Sequence, residues 1–196
     1  MKKITVIVSL FISSFGAWGQ GFLIETPEML VFYEGIPIEI QACATGNYKN
    51  VVMSVPSPFT AASGSAGSIV VVSLSGTDSE GNSVSLGTKK FLVKKAPKPE
   101  LIWNGVSDGG RAMRSGGSLA CVYGNNVPFN PSKGKFEILS YSIVVEGVKG
   151  SLEGTGSAIS SSHLNALKSI KGDSRVTITV KYTGSGNGII SGSFQI

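Results

Sequence analysis

The chain has 196 residues, 15% of them charged, with 26 glycines, two cysteines, one histidine and a formal net charge of +5. That length holds one domain or two small ones, and the scattered glycines lack the three-residue period of a collagen-type rod. One imidazole and two widely separated cysteines match no standard zinc pattern. The small charge surplus, not interleaved with aromatics, does not suit a nucleic-acid-binding chain.

Lys2 and Lys3 precede a mostly apolar run over positions 4–15, and Ala17-Trp18-Gly19 places small side chains before Gln20. This pattern predicts a signal peptide over residues 1–19, cleaved after Gly19. The run is shorter than the ~20 apolar residues of a membrane-spanning helix, and no later stretch reaches that length. The expected product is periplasmic or secreted, has no transmembrane segment, and occupies a space where disulfides can form.

After a short linker, a first β segment is expected over positions 24–33, ending in Met29-Leu30-Val31-Phe32-Tyr33, with a turn at Glu34-Gly35. Ile36, Ile38, Ile40 and Ala42 then alternate with Pro37, Glu39, Gln41 and Cys43, the period of a strand with one buried face. Pro37 cannot donate to a ladder and belongs at a strand start or edge. Further strands are expected over 51–55 and 68–75, a small-residue loop over 61–67, and a polar turn over 78–82. Val84 and Leu86 lead into a strand over 89–94 in which Phe91 and Val93 share a face. Short strands joined by polar turns predict an Ig-like β-sandwich over residues 24–95.

Ala96-Pro97-Lys98-Pro99 loses two amide donors and favours an extended segment, so residues 96–99 read as a linker. A second β domain is expected over residues 100–196, opening with Leu101-Ile102-Trp103, and with a short extended stretch over 116–123 and a loop over 125–135. The longest strand pattern covers 136–145, where the alternating face changes near Ser140, as a bulge would cause. One short helix is predicted over 162–171. A serine among positions 160–162 caps it, Leu164, Leu167 and Ile170 line one side, and Gly172 stops it. Strands over 176–182 and 189–194 close the chain. The fold class is therefore all-β, two Ig-like sandwich domains, the second with one short helix.

Few residues offer chemistry. His163, the only imidazole, lies at the start of the predicted helix with no second histidine. Gly116-Gly117-Ser118 and the glycines at 184, 186 and 188 lack the Gly-Lys-Ser/Thr ending of a phosphate loop, and the serine-rich stretches contain no Gly-x-Ser-x-Gly elbow. No catalytic, cofactor-binding or metal-binding residue is assigned, and the expected role is non-enzymatic. Cys43 and Cys121 either bridge the two domains or stay as buried thiols.

Surface recognition remains. Trp103 stands just past the linker, either as a core anchor of the second domain or as an aromatic at the joint or at a partner site. Lys89, Lys90, Lys94, Lys95 and Lys98 gather at the end of the first domain. They either attract an acidic surface or anionic head groups, or face water along an edge strand and discourage strand pairing. Lys89, Lys94, Lys98 and Trp103 are the candidate interaction residues. A carbohydrate- or surface-binding module, unrelated to secretion, would use Trp103, Tyr123 and Tyr141 as its platform.

The order of these features resembles the C-terminal periplasmic part of the GldM/PorM family of gliding-motility and type IX secretion proteins of Bacteroidota. The similarity rests on Val31-Phe32-Tyr33-Glu34-Gly35 and the alternation over 36–40, then on Phe91-Leu92-Val93-Lys94 running into Pro97-Lys98-Pro99. It continues through Gly116-Gly117-Ser118-Leu119, the long strand over 135–145, and Gly172-Asp173-Ser174-Arg175-Val176 after the short helix. The resemblance implies two Ig-like domains of a dimeric periplasmic rod, with envelope proteins, secretion-apparatus components and a second copy as partners. It covers residues 24–196 and leaves out the family's membrane helix pair and upstream periplasmic domains. Ser185-Gly186-Asn187-Gly188 stands where the family usually has Pro-Asp-Gly, and its aromatic-rich segment is reduced to Val127-Pro128-Phe129. A stand-alone adaptor carrying only the distal domains fits this pattern better than a motor.

Overall fold

The computed structural model describes residues 20–24, 30–44 and 46–196; the predicted leader over 1–19 and the side chain of Cys43 lie outside the described part. The described residues form a mostly β-stranded, multi-sheet fold with one short α-helix. In chain order the first half contains β1 (Gln20–Ile24), β2 (Val31–Tyr33), β3 (Pro37–Ile38), β4 (Ile40–Ala44), β5 (Lys49–Met53), β6 (Phe59–Thr60), β7 (Ile69–Thr77) and β8 (Ser83–Lys94). Its largest sheet is ordered β2-β8-β7-β5, while β1 pairs with β4 and β3 with β6.

Three features differ from expectation. Residues 20–23, read as linker, belong to β1, which pairs antiparallel with β4 from Gln20 opposite Ala44 to Ile24 opposite Ile40. The patterns around Val84 and Phe91 are one strand, β8, because a register shift opposite Leu74 and Ser75 absorbs the change of phase at Gly87. The lysine-bearing segment is also only partly enclosed in the sheet, because β2 pairs with Leu92, Val93 and Lys94 but not with Lys89 or Lys90. Its end is covered by β2, which runs parallel to β8 from Val31 opposite Leu92 to Tyr33 opposite Lys94.

The turn expected over 78–82 is held by Asp78, whose Oδ1 accepts from the backbone N–H of Glu80 (2.9 Å) and Asn82 (2.8 Å). These bonds favour the charged carboxylate, and the one from Asn82 contributes most to holding the Asp78 pKa below its ordinary value.

The second half contains β9 (Glu100–Trp103), β10 (Leu119–Val122), a 3-10 turn (Pro131–Lys133), β11 (Phe136–Val145), β12 (Leu152–Thr155), α1 (Ser161–Ser169), β13 (Arg175–Gly184) and β14 (Gly188–Gln195). A four-stranded sheet runs β12-β11-β13-β14, and β9 pairs with β10. The phase change read at Ser140 is a register shift between Ile138 and Ser140 against β13. β12, short and glycine-containing, had no legible alternation.

α1 starts at the serine cap: Ser160 Oγ accepts from the N–H of His163 at 3.3 Å. Leu167 is buried on its core side. The Arg114 guanidinium donates to the carbonyls of Ile170 and Gly172 just past the helix end.

Buried residues fall into two clusters. The second-half cluster centres on Trp103, Ile143, Leu167, Ile178 and Phe194. The first-half cluster centres on Phe32, Ile36, Ile38, Val72 and Phe91, yet it also takes in Tyr123 and Phe129 from beyond residues 96–99. Tyr33 meets Phe129 at 5.2 Å, Phe129 meets Tyr123 at 5.0 Å, and Tyr123 meets Phe136 at 4.9 Å between ring centroids. The segment 96–99 is itself packed, with Pro99 buried and Ala96 against the first cluster. The halves therefore meet through a continuous apolar joint.

Ser185 fixes the other side of this joint. Its N–H donates to the Lys135 carbonyl at 2.8 Å and its Oγ accepts from the Lys135 N–H at 2.9 Å. Its carbonyl accepts from the buried Tyr123 hydroxyl at 3.2 Å. Gly35, at φ +67°, lies so close to the Ser185 backbone that a Cβ there would stand 2.9 Å from it.

Candidate interaction surface

The two faces of the β2-β8-β7-β5 sheet are set by simple alternation. Val72, Leu74, Phe91 and Val93 point inward and are buried. Their neighbours point outward, and directly paired residues share a face. Ile69 pairs with Leu92, and Val71 with Lys90; Leu92 pairs in turn with Val31, and Lys94 with Tyr33. Ile69 is 60% exposed, Val71 49% and Leu92 42%, so this end of the outward face is apolar where a solvated sheet face is normally polar. Val52, 58% exposed, extends the apolar character to β5.

Charge on this sheet has one sign. β5 carries Lys49 and β8 carries Lys89, Lys90 and Lys94, while β2, β5, β7 and β8 contain no Asp or Glu. Among the described residues of this half the carboxylates lie in connections, with Glu39 and Glu80 exposed and Glu34 and Asp78 half-buried. The exposed apolar side chains of Ile69, Val71 and Leu92 thus lie beside the ammonium group of Lys90.

The predicted interaction residues separate. Lys94 lies on the outward face beside Tyr33, and so borders the joint. Lys89 pairs with the inward-facing Val72 and is exposed, so it does not share the face of Ile69 and Val71. Lys98 is exposed in the connection between halves. Lys90, beside Val71, belongs to the face more directly than Lys89 or Lys98. Trp103 is fully buried: its ring meets Phe194 edge-on at 5.5 Å and its Nε1–H donates to the Gly116 carbonyl at 2.9 Å. It presents no surface in this fold, and of its two sequence readings the core anchor is the one observed.

Tyr123 and Tyr141 are buried as well, so the three aromatics form no exposed platform. The Tyr141 hydroxyl accepts from the Ser160 N–H and bonds His163 Nδ1, each at 3.0 Å. The single imidazole thus helps fasten the start of α1 to β11. Cys121 is a free buried thiol whose pKa is pushed up to about 11 by burial. Burial, and secondarily the neighbouring Tyr182, pushes Tyr123 up to about 12. Among the described residues no three His, Cys, Asp or Glu side chains cluster as metal ligands, and no helix is long and apolar enough to cross a membrane.

Sequence reasoning missed the joint and the apolar strip. Phe129 gave a signal as the lone aromatic of a proline-containing loop, but its partner Tyr33 lies far away in sequence. Ile69 and Val71 read as ordinary strand residues, since alternation does not say which face is covered.

The class defined by these features is a β-stranded module with an exposed basic and apolar face. No protein-family model and no curated protein matches the chain. Among solved structures, the Clostridium thermocellum CbhA fibronectin(III)-like modules align over 90% of this chain and 93% of that one, at 17% identity and a TM-score of 0.28. A superposition that loose leaves the fold to be read from this chain's own strand pairing.

Proposed function

We propose that the chain is a non-enzymatic, extracytoplasmic interaction module that docks an acidic protein surface onto the outward face of β7 and β8. The observation that carries this reading is the apolar strip of Ile69, Val71 and Leu92 beside Lys90 and Lys94, on strands without a carboxylate. The signal-peptide pattern supports the compartment. The engagement of His163 with Tyr141 supports a structural role for the one imidazole.

Two Ig-like units serving as an adaptor related to the distal part of the GldM/PorM family are the finer form of this proposal. It is supported by the motif order through Pro97-Lys98-Pro99 and Gly172-Asp173, and by the bulged long strand β11. Like charges facing one another make this surface a poor self-interface, so a dimer would use another face.

The test is photo-crosslinking from position 71 in the native host. One acidic envelope protein, lost with K90E/K94E, is expected; secretion-apparatus proteins among the products would support the family reading, and other acidic proteins would remove it. A crosslink to a second copy, to a basic protein or to none overturns the docking face.

A further inference from the structure

The second half carries an open groove, separate from the face just described. The C-terminal part of α1 and the β11–β12 hairpin enclose it, with a volume of about 490 Å³. Its walls include Val145, Leu152 and Ile170, with Val148 at the lip. Val145 is buried at the floor, whereas Val148 is 52% exposed. Lys149 and Lys171 also line the groove, and no Asp or Glu does.

Lysines near a helix C-terminus ordinarily complement its dipole and terminal carbonyls. Here that position is taken. The Ile170 N–H donates to the Leu167 carbonyl, and Arg114 donates to the carbonyls of Ile170 and Gly172. Lys149 arrives from the hairpin turn rather than from the helix. The two ammonium groups therefore give an apolar groove a basic rim with no capping duty to explain it.

β12 is the outermost strand of its sheet. A strand in that position leaves one row of backbone donors and acceptors for a chain laid alongside it. Apolar walls, a basic rim and a strand edge together select a peptide over a compact ion or a bare hydrocarbon.

We propose that this groove binds a peptide segment of a protein partner in which an aliphatic side chain is flanked by carboxylates. The aliphatic group fills the space between Val145, Leu152 and Ile170. The carboxylates face Lys149 and Lys171, and the peptide backbone runs along β12.

The probe is a blocked six-residue peptide with two central leucines flanked by glutamates, added to the isotopically labelled full chain. Amide shifts confined to residues 148–152 and 166–171 are expected. K149Q/K171Q should weaken binding by about fivefold, as loss of two exposed ion pairs implies. These substitutions are on exposed side chains, so folding is checked by unchanged shifts elsewhere, and V148D gives a second reduction through the apolar lip.

The proposal is overturned if the peptide produces no shifts at millimolar concentration, or if the shifts fall elsewhere. It is equally overturned if a lysine-flanked peptide binds as well, or if dodecanoate shifts the same amides at lower concentration than the peptide.

Discussion

Replacing Gly35 by alanine tests whether the two halves are held in fixed register. Two costs add at this position. The backbone stands at φ +67°, which for a residue with a Cβ costs about 1–2 kcal/mol. The new Cβ would also lie 2.9 Å from both Cα and C of Ser185, closer than real Cβ contacts come. Ser185 cannot easily yield, because its N–H, Oγ and carbonyl are bonded to Lys135 and Tyr123. Overpacking against such a fixed point costs about 1–3 kcal/mol. Gly64 is the control: it has φ +83° but nothing within 4 Å of where an alanine methyl would stand, so alanine there incurs the backbone cost alone.

Paired thermal and denaturant unfolding of G35A, G64A and the parent chain would read the difference. G35A should lose about 2–5 kcal/mol, or several degrees more in melting temperature than G64A. Faster proteolysis at residues 96–99 should accompany it as the joint opens. Equal melting temperatures for G35A and G64A would refute the argument that the Gly35–Ser185 contact is rigid.

F129A removes the ring between Tyr33 and Tyr123, and by the usual cost of buried Phe-to-Ala changes should destabilise the chain by about 3–5 kcal/mol in chemical denaturation. Tyr123 should stay protonated until about pH 12, followed by absorbance at 295 nm. Because the unfolded tyrosine loses its proton near pH 10 while the folded one retains it, this residue's contribution to stability should decline between about pH 10 and 12. Y123F would remove that decline. The Cys121 thiol should resist iodoacetamide at pH 8 and react at once in denaturant, since it is buried with its pKa raised to about 11. S160A should cost about 1 kcal/mol by removing the cap from the N–H of His163.

What could be read in advance followed the local rules. Alternation placed Phe91 and Val93 on one buried face, and the phase break at Ser140 located the β11 bulge. The serine cap and Gly172 bracketed α1 to within two residues. Partnership between distant segments was not legible. Val31, Phe32 and Tyr33 form a run that shows a strand but not its parallel pairing with β8. Lys89 and Lys94 were visible as a cluster, yet pairing alone revealed that Lys90, opposite Val71, shares the apolar strip, while Lys98 stands in the connection. Trp103 shows the same limit from the other side, because an isolated tryptophan after a proline segment reads alike whether Phe194 covers it or not.

The parallel pairing of β2 with β8 also determines how the first half carries tension. A pull applied at the chain ahead of β2 and at the connection after Lys94 draws the two strands past one another along their length. The bonds from Leu92 N–H to the Leu30 carbonyl (2.9 Å) and from Glu34 N–H to the Lys94 carbonyl (3.0 Å) then bear load together. Such a ladder must slip as a unit, whereas a hairpin pulled from its open end peels one bond at a time. The short β2 strand is therefore loaded in shear, not peeled, whenever these two points are drawn apart.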